Sequence, residues 1–160
     1  KRYNQPEWVE DSVMTVTKSD KFVVLTKDNT KYVKMVFPVE EGKVWAADIF
    51  NSRITIDETK DERDIYSIKE ASRYVDVGIP KQVFDKKYLQ TVTVIQGKPK
   101  DPLLGISDRK EIYAKGVGLV YRLFDRAQYE SCSNDDCPYG EKFKLSGHER
   151  HETLIEYGSR

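Results

Sequence analysis

Long apolar runs are missing from this sequence. No uninterrupted stretch is longer than that of Phe22-Val23-Val24-Leu25, far short of the roughly 20 residues that a bilayer-spanning helix requires. Net charge is missing too, with 27 Lys and Arg against 27 Asp and Glu. The balance holds along the chain: residues 1–80 carry 13 basic and 15 acidic side chains, residues 81–160 carry 14 and 12. With no basic half to follow a phosphate backbone, nucleic acid is not an expected partner. Gly-x-Ser-x-Gly, phosphate-loop and dinucleotide fingerprints are all absent, and with them the best-marked routes to hydrolase, nucleotide and hydride chemistry. No cofactor is implied, and no catalytic residue is singled out.

Cysteine and histidine are scarce, at two residues each. Cys132 and Cys137 flank a polar, turn-rich segment that reads as an exposed loop. A disulfide there closes a short loop, is worth roughly 2 kcal/mol, and suits an exported chain. Free thiols and a zinc or redox pair are the competing readings. Zinc would need two further ligands, and only His148 and His151 are on offer. His148-Glu149-Arg150-His151-Glu152 is the densest metal-capable cluster. In a strand, 148 and 151 face opposite ways, so the two histidines are weak metal candidates and a solvated polar strand is the simpler reading.

What the chain does have is enough apolar and aromatic material for one domain. It holds 160 residues at 18.6 kDa, 38% hydrophobic and 11% aromatic, too apolar and too balanced in charge for disorder. No repeat, linker or low-complexity tract divides it, so 1–160 is expected to be a single domain. Strand signals dominate. Ser12–Lys18 and Lys31–Val39 alternate, Phe22–Leu25 is a short apolar run, and Lys27-Asp28-Asn29-Thr30 reads as a hairpin turn. Glu40–Lys43 is a turn delivering Trp45. Asp57–Asp64, seven charges in eight residues, is a solvated loop. Ile65–Val77 reads mostly as strand, broken by Gly78-Ile79-Pro80.

Tyr88–Gln96 alternates most clearly of all. Lys110–Phe124 is a β segment whose two glycines suggest a bulge or a close backbone approach, and Glu152–Tyr157 is an edge or closing strand. Six to nine strands joined by turns predict a mainly β fold. It would be an antiparallel, curled sheet, an open barrel or half-barrel, with at most one or two short helices (an α+β variant). In such a sheet the aromatics Trp45, Tyr113 and Tyr121 are candidate lining for a concave ligand site, against the plainer reading that aromatics make the core. The acidic clusters Glu40/Glu41 and Asp61/Glu62/Asp64 sit in turns and are read as solvated.

Four segments carry a resemblance: Val36–Trp45, Val77–Gln96, Glu111–Tyr121 with its Tyr-Ala-Lys-Gly-Val-Gly-Leu-Val run, and Leu154–Gly158. Together they resemble uncharacterised lipoproteins of Bacteroidetes-type bacteria, over most of residues 30–158. The resemblance implies export, a lipid anchor upstream of Lys1 as the only membrane attachment, and a periplasmic or outer-membrane, cell-surface location. It brings no activity with it. The expected role is therefore a binding module of the bacterial envelope holding an apolar or glycan ligand. The alternatives are a protein–protein or structural module of an envelope complex, through a sheet edge or the Asp57–Asp64 loop, and last a hydrolase.

Overall fold

The computed structural model describes residues 13–50, 71–96, 105–129 and 144–158. In chain order the strands are β1 (Met14–Lys18), β2 (Phe22–Lys27), β3 (Thr30–Val36), β4 (Val44–Ala46), β5 (Ala71–Val75) and β6 (Lys81–Val83). They continue with β7 (Lys86–Tyr88), β8 (Thr91–Gln96), β9 (Gly105–Ala114), β10 (Gly118–Tyr129) and β11 (Lys144–Thr153). β1-β2-β3 form one sheet, β11-β10-β9-β8-β5-β4 a second, and β6-β7 a separate hairpin. Every pairing is antiparallel. Among the described residues no sheet closes into a barrel and no helix occurs. The fold is mainly β, antiparallel and open.

Local chemistry accounts for the first hairpin. Lys27 pairs with Thr30 across a two-residue connection in which Asp28 and Asn29 sit at φ 49° and 61°. Two successive left-handed residues make a type I′ turn, and Asp and Asn tolerate that conformation better than other side chains with a Cβ. The Glu40–Lys43 turn closes through Lys43 N–H to the Glu40 carbonyl at 3.2 Å, with Gly42 at φ 77°. It hands the chain to β4 and so to Trp45.

β3 is the strap that joins the two larger sheets. Val33 N–H donates to the Ala47 carbonyl at 2.7 Å, and Trp45 Nε1–H donates to the Val33 carbonyl at 2.9 Å. The Tyr74 hydroxyl accepts from Val36 N–H at 2.8 Å and donates to the Val36 carbonyl at 3.0 Å. Between the sheets lie Tyr74, Val92 and Val94, with Met35, Val39, Trp45 and Tyr113 packed around them. On the other face of the six-stranded sheet, Val83 and Tyr88 of the β6–β7 hairpin cover Ile112, Ala114 and Val120. Fully burying one such side chain contributes roughly 1.5–3 kcal/mol, so these two layers supply the fold's main cohesion.

Three segments depart from their sequence patterns. Tyr88–Gln96 is two strands, with Leu89 turned out at 69% exposure between them. β8 is buried on both faces because the hairpin covers its threonine side. There Thr91 Oγ donates to the Ile79 carbonyl at 2.5 Å, and Lys81 Nζ donates to Thr93 Oγ at 2.8 Å. Threonine therefore imitates a polar outer face while lying inside. Lys110–Phe124 is a hairpin rather than one bent strand: the chain turns at Lys115–Val117, with Val117 N–H bonded to the Ala114 carbonyl at 3.1 Å.

The glycines of that hairpin serve positive φ, 77° at Gly116 and 106° at Gly118, and no atom approaches where their Cβ would stand. The bulge does occur, two residues further on, where the β9–β10 register shifts between Leu119 and Tyr121. Close approach belongs to Gly105 instead, where a Cβ would collide with the Ala127 carbonyl oxygen. The closing strand lies earlier than Glu152–Tyr157, at Lys144–Thr153. It is an edge strand exposed along nearly its whole length, so burial imposes no alternation for a pattern to reveal. The Cys132–Cys137 pair, the Asp57–Asp64 loop, residues 65–70 and the Gly97–Pro102 loop lie outside the described residues.

Candidate functional site

Where the three-stranded sheet parts from the six-stranded sheet, an apolar groove of about 750 Å³ opens. Val23, Met35 and Phe37 line it from the β1–β3 side, Val92 and Tyr113 from β8 and β9, and Val39 and Val77 from the connecting turns. Gly78, Gly116 and Gly118 also line it, and all three have positive φ and open space where a Cβ would be. Turn geometry thus leaves this part of the lining without side chains. The volume falls within the ~300–1,000 Å³ usual for small-molecule sites. A smaller hollow of about 480 Å³ lies over β10 and β11 beside Phe124, Arg126, Gln128 and His148, and is more polar.

A buried charge network holds Tyr113 in place beside the groove. Glu111 is 3% exposed, and its Oε1 accepts from Lys34 Nζ at 2.7 Å and from Arg122 Nε at 2.9 Å. The Tyr113 hydroxyl donates to Glu111 Oε2 at 2.7 Å. Arg122 continues to Glu152 at 2.8 Å, and Glu152 to Arg150 at 2.9 Å, so the ladder runs from β3 across β9 and β10 to the β11 edge. Burial pushes the Glu111 carboxyl up, but the charge and hydrogen bond of Lys34, with Tyr113 and Arg122, outweigh it and hold the group below its ordinary value.

At Lys34 burial prevails over Glu111, assisted by Arg122 and Arg109, and the ammonium is pulled below the usual lysine value. The two directions agree physically, since several cations share one carboxylate. Burial, then Glu111, drives the Tyr113 phenol well above its ordinary value, so it stays a neutral donor. This network spans four strands and ties β3 to the six-stranded sheet beside the groove.

The three aromatics singled out from sequence take three different places. Tyr113 lines the groove. Trp45 lies in the layer behind it, 4.5 Å from the Tyr74 ring between centroids, with its indole N–H satisfied by Val33. Tyr121 packs against the cluster on the opposite face and donates toward His151 Nδ1 at 2.8 Å. The aliphatic lining (Val23, Met35, Val39, Val77 and Val92) was not singled out beforehand. Its only signal was membership of short apolar runs, which core residues share.

His148 and His151 stand on opposite faces of β11, opposite Arg126 and Leu123 respectively. They cannot hold one ion together, and no group of three or more metal-capable side chains occurs among the described residues. His151 does link two groups: Nε2 meets Glu149 Oε1 at 2.8 Å while Nδ1 meets Tyr121. With a carboxylate at Nε2, a neutral imidazole carries its proton there and accepts from the tyrosine at Nδ1. Burial, followed by Asp108 and Glu149, raises the Tyr121 phenol above its ordinary value. An activated oxygen nucleophile needs the opposite shift or a base freed by substrate. This Tyr–His–Glu chain lies on an exposed strand and orients its members on the surface.

Comparison with protein-family models, with curated proteins and with solved structures finds no match to this chain.

Proposed function

We propose that this chain is an exported binding module of the bacterial envelope that holds an apolar ligand in the groove between its two larger sheets. The observation that carries the reading is the groove itself, an apolar channel of about 750 Å³ within a fold of this size. A solvent-filled apolar surface of that extent costs free energy unless something covers it. Lining residues come from three of the four segments that carry the lipoprotein resemblance, Val36–Trp45, Val77–Gln96 and Glu111–Tyr121. The proposal of export and of a lipid anchor rests on that resemblance alone. The aliphatic lining favours an acyl or similar chain over a glycan, which would require several hydrogen-bonding side chains and stacked aromatic faces.

Native mass spectrometry of the protein purified gently from its own host tests the reading. A reproducible adduct whose fragments include an apolar chain supports it. An adduct of carbohydrate mass, or a Val92→Trp variant that retains the same adduct, speaks against it.

A second reading has one observation in its favour. β11 is a ten-residue edge strand exposed along almost its whole length, and edge strands of that length accept partner strands. Crosslinking from Arg150 in the native host should then capture a partner through β11. Recovery of the uncrosslinked monomer would remove this reading.

A further inference from the structure

Besides its apolar residues, the groove is lined by two charged side chains, and both are lysines: Lys18 at the end of β1 and Lys115 in the β9–β10 turn. They come from opposite sheets, so the two residues border the apolar channel from its two sides. Lys18 is exposed, and its Nζ lies over the Phe37 ring, 5.8 Å from the centroid, which keeps that charge beside the lining. Among the described residues, no Asp or Glu lines the groove.

Two acids lie close to the lining residue Val77, and both are bonded to other groups. Glu41 accepts from the Asp76 and Val77 amides at 3.3 and 2.8 Å, and Asp76 is bound to Lys81 at 2.6 Å. Lys115 also borders a second, smaller hollow of about 420 Å³, whose other charged lining residue is Lys87. Among the described residues the charged side chains that line the groove are thus of one sign, in a chain whose overall charge is zero.

From this we infer that the ligand is a single-chain anionic amphiphile, a fatty-acid-like carboxylate whose chain lies along Val23, Met35, Val77 and Val92 and whose head is held by Lys18 and Lys115. The inference rests on the groove reading above and adds the head group to it. A neutral chain would leave both exposed lysines at the groove without a counter-charge. A cationic head would be repelled by them. Each exposed ion pair gives roughly two- to fivefold in affinity, so two together give about tenfold. Each methylene the groove covers gives about fourfold.

The test uses the full chain and three probes of equal length, dodecanoate, dodecanol and dodecylammonium, each kept below its micelle concentration. Affinities are read by displacement of a neutral fluorescent probe at low salt. The expected order is dodecanoate tighter than dodecanol by about tenfold, with dodecylammonium weakest. In K18Q/K115Q the carboxylate advantage should fall to twofold or less while dodecanol affinity stays unchanged, which also shows that the groove is intact. K18R/K115R should restore the preference, and K27Q, at the far end of the β2–β3 hairpin, should leave it alone. High salt should narrow the gap. Equal binding of all three probes, or a preference for the amine, overturns the head-group inference and leaves the groove reading standing. Binding of none of them overturns both.

Discussion

Replacing Glu111 by Gln should be among the most damaging single-atom changes in this protein, and the structure sets its size. The carboxylate is 3% exposed and is shared by Lys34 and Arg122, whose side chains are only 15% and 27% exposed. An amide keeps the shape and one acceptor oxygen but removes the negative charge, leaving two cations facing each other across β9. Removing one partner of a buried ion pair costs ~3–5 kcal/mol. Because Lys34 and Arg122 keep some water, and Arg122 keeps Glu152, the lower end of that range applies, about 3 kcal/mol. Against a total of roughly 5–15 kcal/mol this is a large but measurable fraction. With a urea slope near 2 kcal/mol per molar, the midpoint should fall by about 1.5 M.

The same measurement carries a pH signature. Glu111 is held below its ordinary value of 4.5 in the fold. Its contribution is therefore fully present above the unfolded-state value and is lost as pH falls through the lowered folded value. The gap between wild type and E111Q should be constant from pH 8 to 6 and should close below about pH 4. Lys34→Met, which leaves Glu111 with Arg122 and Tyr113, should cost less, about 1–2 kcal/mol, and serves if E111Q does not fold. An E111Q variant within 0.5 kcal/mol of wild type at pH 7, or a gap independent of pH, would refute the reasoning.

Three further outcomes follow from the fold. Tyr74→Phe removes the hydroxyl that serves both the N–H and the carbonyl of Val36. It should cost about 1–3 kcal/mol by urea unfolding, with the m-value unchanged. Gly116→Ala and Gly118→Ala place a Cβ at φ 77° and 106°; each should cost roughly 1–2 kcal/mol from backbone strain, read as a lowered Tm, although nothing crowds either site. His148→Ala and His151→Ala, on the exposed edge strand, should each stay within about 0.5 kcal/mol of wild type, and a larger loss at His151 would show that its bonds to Tyr121 and Glu149 carry more than surface order.

The class of fold is legible in the sequence because most strands here leave local marks. Asp28-Asn29 can hardly be anything but a tight turn between the runs that flank it, and Glu40–Lys43 delivers Trp45 where the pattern places it. What local pattern could not supply was long-range. Thr91 and Thr93 look like an outer face, and only the arrival of Ile79 and Lys81 from elsewhere in the chain makes them an inner one. Lys115-Gly116-Val117-Gly118 fits either a bulged strand or a hairpin turn, since both use glycine. The edge strand β11 carries charge on both faces and shows no period.

The candidate site was harder still to see. Its aliphatic lining is drawn from β2, β3 and β8 and from the connecting turns, and each residue looks locally like core. Glu111 and Lys34 are 77 positions apart, two among 54 charged residues, and nothing in the sequence marks them as partners. Tyr113 was the aromatic that reached the groove. Trp45 and Tyr121 had equal claims by sequence, and which face of which sheet each would meet was decided by the strand pairing.

The central claim is that the seam between the sheets is a ligand site, and methyl-resolved NMR of the full chain during titration with a neutral long-chain alcohol tests it most directly. Saturable one-to-one shifts confined to the methyls of Val23, Met35, Val39, Val77 and Val92 are predicted, with buried Val24, Val94 and Val120 unmoved. Shifts scattered over the exposed Val13, Val16, Ile79 and Leu89, or none at all up to the solubility limit, would contradict it.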